Sequence, residues 1–93
     1  MKITPIKAKI ILKCQEPKDI RDIYREIDYN GCMVGLRGIL DELIAFKILI
    51  KSKKGRVAYY SLNKEIKDKI IEIAKEVLVK NNDIIIDKNA IFN

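Results

Sequence analysis

The chain has 93 residues, of which 48% are apolar and 34% charged, and a net charge of +6; that length suits one small domain with one core. It contains no histidine and no tryptophan, and its serines are limited to Ser52 and Ser61, so neither a Ser–His nucleophile nor a histidine acid–base site is available, and the carboxylates are too scattered to suggest a paired site. An enzyme is therefore not expected, and the longest apolar run, Leu43 to Ile50, is broken by Lys47 and falls far short of the ~20 residues that cross a bilayer.

Thr4-Pro5 reads as a helix opening, a capping hydroxyl followed by a proline at the first helical position. Ile6, Ile10, Ile11 and Cys14 then recur at helical spacing, predicting a helix over 5–14. Pro17 repeats the opening signal, and Ile20, Ile23, Tyr24 and Ile27 follow at i, i+3, i+4, i+7, predicting a second helix over 17–27. Asp28-Tyr29-Asn30-Gly31 is a turn by composition, with Asn-Gly expected to supply the positive φ angles. A third helix is predicted from near Cys32 to about Lys47. At 100° per residue Leu36, Ile39, Leu40, Leu43 and Phe46 share a core face, while Val34, Gly38, Asp41 and Ala45 point outward. Ile48–Lys51 and Val57–Leu62 read as strands around a loop, Ser52-Lys53-Lys54-Gly55-Arg56, whose glycine suits a tight hairpin. From Asn63, read as an N-cap, an apolar stripe of Ile66, Ile70, Ile73, Ala74, Val77 and Leu78 predicts a long helix to Lys80, with Glu65–Lys69 and Glu76–Lys80 as i,i+4 pairs. Asn81-Asn82-Asp83 ends it. Ile84-Ile85-Ile86 and Ala90-Ile91-Phe92 form an apolar tail over 81–93, compatible with a strand, a packing arm or a disordered segment.

Cys14 and Cys32 form no CxxC pair, no histidine stands near to complete a zinc site, and no signal peptide precedes them, so the expected location is a reducing cytosol with no metal or cofactor. Cys32 at a helix start reads as a small residue rather than a redox sensor, and Tyr24, Tyr29, Tyr59 and Tyr60 as packing residues. Gly31, Gly35 and Gly38 do not form a GxGxxG loop.

The positive charge is local. Residues 1–13 carry Lys2, Lys7, Lys9 and Lys13, and residues 47–56 carry Lys47, Lys51, Lys53, Lys54 and Arg56, with no acid in either stretch. Together they supply +9, against −3 over 14–46 and zero over 57–93. Two helices joined by a short turn, the second running into a basic hairpin, place a helix end and a charged loop on one side of a small body. That arrangement suits a helix in the major groove, about 12 Å wide, with the loop on the flanking backbone.

Over residues 8–80 the sequence resembles the winged-helix transcription regulators of the ArsR-like type. The resemblance is carried by Leu40-Asp41-Glu42-Leu43 through Ile48-Leu49-Ile50, and then by Gly55-Arg56-Val57-Ala58-Tyr59-Tyr60-Ser61-Leu62. It implies an α+β, mostly α fold over residues 1–80: a winged helix-turn-helix of three helices, a two-stranded β-hairpin wing and one long C-terminal helix. It further implies a DNA-binding transcriptional regulator, a homodimer on double-stranded DNA, with Met33, Val34, Arg37 and Gly38 at the DNA-facing start of the recognition helix and Lys53, Lys54 and Arg56 on the wing; Lys47 and Lys51 complete the expected DNA-binding set. The first helix and the Asn63–Lys80 helix are the expected dimer interface, through Ile6, Ile10, Ile66, Ile70, Ile73 and Val77, and the breadth of the last stripe on so short a chain points the same way.

Four departures from the family pattern stand out. The exposed start of the recognition helix carries Val34, Gly35 and Gly38 instead of polar readers, leaving Arg37 alone to contact bases. Asp41 and Glu42 follow on or near that face, and Lys47 stands where a glycine often ends the helix. The cysteine box and histidine ligands of metal-sensing members are absent, so metal sensing is not implied. A competing expectation is a protein-interaction module in which the Val34–Gly38 face and Asp41–Glu42 dock a protein; a third is RNA binding through the basic hairpin. No small-molecule ligand and no membrane partner are indicated.

Overall fold

A computed structural model describes residues 1–92. The order is β1 (Lys2–Ile3), α1 (Pro5–Lys13), α2 (Ile20–Glu26), α3 (Met33–Ala45), β2 (Leu49–Lys54), β3 (Val57–Leu62), α4 (Lys67–Lys80), β4 (Ile84–Ile85) and α5 (Lys88–Phe92). The fold is α+β and mostly helical, and no described helix is long and apolar enough to cross a membrane.

Helix α1 opens as its sequence dictates: Thr4 accepts from the backbone N–H of Lys7 at 3.3 Å, with Pro5 in the first turn. Helix α2 begins three residues later than expected. Asp19, not the Pro17 region, caps it, its Oδ1 accepting from Asp22 N at 2.8 Å. Lys18, freed from the helix, pairs instead with Tyr60 of β3 as an isolated antiparallel bridge, N to O at 3.0 Å and O to N at 2.7 Å. The turn after α2 also differs from expectation. The positive φ falls on Asp28 (54°) and not on Asn30 or Gly31. The bonds Asp28 N to Arg25 O and Tyr29 N to Tyr24 O close the helix in the paired 5→2 and 6→1 pattern that a left-handed residue permits. A Cβ at Gly31 would lie 2.7 Å from the outer end of the Tyr29 ring, so a larger residue there would require that ring to shift.

Helix α3 buries Leu36, Leu40 and Leu43 and exposes Val34, Gly38, Asp41 and Ala45, the division its periodicity predicts. It ends with the same device as α2. Lys47 takes φ 67°, Lys47 N donates to Ile44 O and Ile48 N to Leu43 O, so a lysine occupies the position glycine favours. The strands β2 and β3 pair from Leu49↔Leu62 to Lys54↔Val57, so Ser52, Lys53 and Lys54 belong to the ladder and the loop is only Gly55-Arg56. A positive φ at the first loop position alone, 63° at Gly55, is the type II′ signature.

Helix α4 begins at Lys67, not at Asn63. Asn63 caps the preceding turn through Oδ1, which accepts from Glu65 N at 3.1 Å, while Ile66 stands at the helix N-cap without a side-chain bond. The buried side chains form one cluster in which α1 packs along α4. This corrects the expected dimer surface: Ile10, Ile66, Ile70 and Val77 are at most 2% exposed within a single chain and offer nothing to a second copy, while Ile6 and Ile73 are half-buried against the same core. The tail resolves into β4 and α5. Ile84–Ile85 pair with Lys2–Ile3 in an antiparallel two-stranded sheet, and Ile86 and Ile91 are buried. Each such isoleucine contributes about 1.5–3 kcal/mol by leaving water, and together they cover the end of the stripe that seemed surplus.

Candidate nucleic-acid interface

The alternation of a strand sorts the hairpin's charges before any tertiary contact forms. Lys51 and Lys53 share a face with their partners Tyr60 and Ala58, whereas Lys54 lies on the other face with Val57. The Lys18 bridge draws the first face toward the start of α2, and Tyr60, 3% exposed, closes the floor between them. The result is a groove of about 460 Å³ lined by Asp19, Ile20, Arg21, Arg37, Lys51, Lys53, Arg56, Val57, Ala58 and Tyr60.

Five cations therefore converge from three elements: Arg21 from the first turn of α2, Arg37 from α3, and Lys51, Lys53 and Arg56 from the hairpin. None of them forms an ion pair among the described residues; every salt bridge found there involves other cations. The one acid in the lining, Asp19, is committed to capping α2. Lys51 Nζ stands 6.0 Å from the centre of the Tyr60 ring. Burial pushes the Tyr60 phenol above its usual pKa, with Arg37 drawing it down and Asp41 pushing it up.

The remaining expected site residues are distributed around this groove or away from it. Met33, Val34 and Gly38 do not line it but project from the same exposed side of α3 as Arg37; Val34 is 80% exposed and Met33 36%. Lys54 faces away. Lys47 lines a different depression, with Ile44, Leu49, Ile50, Asn63, Lys88 and Phe92 among its walls, because its left-handed backbone turns the chain away from the α3 face. The N-terminal lysines do not join the hairpin either: Lys2 pairs with Asp83, Lys7 with Glu42, and Lys9 and Lys13 line a separate depression with Glu26 and Asp28. The two basic stretches of the sequence are thus two surfaces.

Arg21 is the contributor that sequence reasoning missed. It sits among Asp19, Asp22, Arg25 and Glu26, where it reads as one more charge on a wet helix face. The only local signal was Asp19, whose capping geometry sets the first turn of α2 and hence the direction of Arg21.

No family model matches the chain, and no curated protein and no solved structure matches it.

Proposed function

We propose that the chain is a winged-helix DNA-binding protein that regulates transcription, with α3 in the major groove and the β2–β3 hairpin as a wing on the flanking backbone. The observation that carries this reading is the convergence of Arg21, Arg37, Lys51, Lys53 and Arg56 on one open groove without neutralising partners. Leaving like charges unpaired on one surface is unfavourable for the isolated fold, and a polyanion offsets it. The element order supports the fold assignment: α1, a bridging residue at Lys18, α2, α3 and a hairpin whose second strand receives that bridge. The reading includes a homodimer, so that two recognition helices meet half-sites about 34 Å apart. Since the α1–α4 stripe is buried, the exposed apolar side chains of Val79 and Ile85, 84% and 79% accessible, are each assigned to self-association.

The test is the salt dependence of duplex binding by fluorescence anisotropy between about 50 and about 200 mM salt. Lys53→Glu/Arg56→Glu is expected to weaken binding and to reduce the log–log slope by about 0.9 for each phosphate no longer neutralised. Lys9→Glu/Lys13→Glu, the same charge change on the other surface, is expected to leave the slope close to that of the unaltered protein. Equal slopes for all three proteins, or no binding at micromolar concentration, would defeat the reading; the second result favours a protein partner for the α3 face.

A further inference from the structure

We infer that α3 reads thymine 5-methyl groups through Val34, beside a guanine contacted by Arg37, so that the DNA it selects carries thymine next to guanine in each half-site. This rests on the DNA-binding reading above and specifies what is recognised.

Val34 is a side chain that the fold does not use. It lies in the first turn of α3 and is 80% exposed, although a β-branched apolar residue is not a good helix former and gains nothing from facing water. Met33 beside it is 36% exposed. Arg37 follows Val34 by three residues, so the two side chains are neighbours on one helical face, and Arg37 also lines the cationic groove. An apolar residue beside the unpaired Arg37 is poorly matched to an apolar protein surface, but it matches the major groove, where the only apolar group on a base edge is the thymine methyl and guanine offers the acceptor pair that arginine grips.

Steric clearance on that face agrees. Gly35 has an internal reason, since a Cβ would stand 3.1 Å from the Tyr29 hydroxyl, but a Cβ on Gly38 would meet nothing within 4 Å. Gly38 is therefore not demanded by packing, and it keeps the backbone one turn beyond Val34 low. An acidic side chain marks the limit of contact: Asp41 lies one turn past Arg37 and joins no ion pair among the described residues. Phosphates are repelled there, which confines the duplex to the first turns of α3, where Val34 stands.

The test selects bound duplexes from a random pool and resynthesises the enriched duplex with deoxyuridine in place of every thymidine, which removes the methyl groups and keeps every hydrogen-bonding edge. Binding to the uracil duplex is expected to be about four-fold weaker for each methyl group that Val34 no longer touches. Val34→Ala should weaken the thymine duplex by a similar factor and leave the uracil duplex unchanged. Gly38→Ala should raise the melting temperature of the protein yet weaken binding to both duplexes. Equal affinity of the unaltered protein for the two duplexes, or an equal loss with Val34→Ala on both, overturns the inference while leaving DNA binding intact. Binding without enrichment of any sequence overturns it in the same way, and absence of duplex binding overturns both this inference and the reading on which it rests.

Discussion

The side-chain amide of Asn63 donates through Nδ2 to the carbonyl oxygen of Lys47 at 2.9 Å, joining the residue that leaves the hairpin to the residue that enters it. The backbone repeats the tie one position on, Asn63 N donating to Ile48 O at 2.9 Å. The base of the hairpin is thereby anchored at the end of α3, and the orientation of the cationic face depends on a lysine held at φ 67°.

Asn63→Ala removes that donor and also the acceptor for Glu65 N, and should cost about 1–2 kcal/mol in urea unfolding. Lys47→Gly should raise stability by up to about 1 kcal/mol, because glycine takes the left-handed region without the penalty a Cβ incurs there. A Lys47→Gly protein no more stable than Lys47→Ala would show that the left-handed residue is not strained.

Cys14 is fully buried at the end of α1, and burial pushes its thiol from 9.0 up to about 12, with Lys18 drawing it down and Glu26 pushing it up. A folded pKa above the unfolded one means that the folded state holds the proton more tightly. The associated stability is complete below about pH 9 and is lost as pH rises toward 12, at up to about 1.4 kcal/mol per pH unit. Urea unfolding at about pH 8 and about pH 10.5 should show a larger loss for the unaltered protein than for Cys14→Ala, which keeps Tyr60 and every lysine; equal losses would assign the alkaline instability elsewhere.

Self-association is expected to run through Val79 and Ile85. Sedimentation equilibrium of the unaltered chain should give a dimer at tens of micromolar, and Ile85→Lys or Val79→Lys a monomer with unchanged helical content. A monomer at all concentrations for the unaltered chain would remove the dimer from the proposed function, and a dimer that survives both substitutions would place its surface elsewhere.

Much of the framework was legible from periodicity. The 3.6-residue spacing of Leu36, Leu40 and Leu43 gave α3 its core face, and Gly55 between two β-branched stretches gave the hairpin. What escaped was structure defined by a distant partner. Lys18 is extended because Tyr60 waits for its N–H, and Ile84–Ile85 form a strand because Lys2–Ile3 do; neither two-residue segment has a period of its own. The α4 stripe looked too broad for one chain because its covers, α1 along its length and the β4–α5 tail beside Ile73, are remote in sequence. In the site, alternation along β2 separates Lys54 from Lys51 and Lys53, but that rule could be applied only once the ladder was known to extend past Lys51. The two basic stretches lie on separate surfaces, which charge clustering along a chain does not foretell, because it carries no information about which face each helix turns to water.

The two-stranded sheet sets the order in which the core can close. Met1 and Ile86 exchange hydrogen bonds, N to O at 2.9 Å in one direction and 2.8 Å in the other, across 85 positions of sequence. Strand β1 therefore finds its partner only far along the chain. Until Ile84–Ile86 emerge, Ile3 has no strand beside it, and closing so long a loop is entropically unfavourable unless α1 has already docked on α4. A chain truncated after α4 would display an uncovered isoleucine surface, the kind of exposure chaperones bind, so β4 and α5 close a core that the preceding elements leave open.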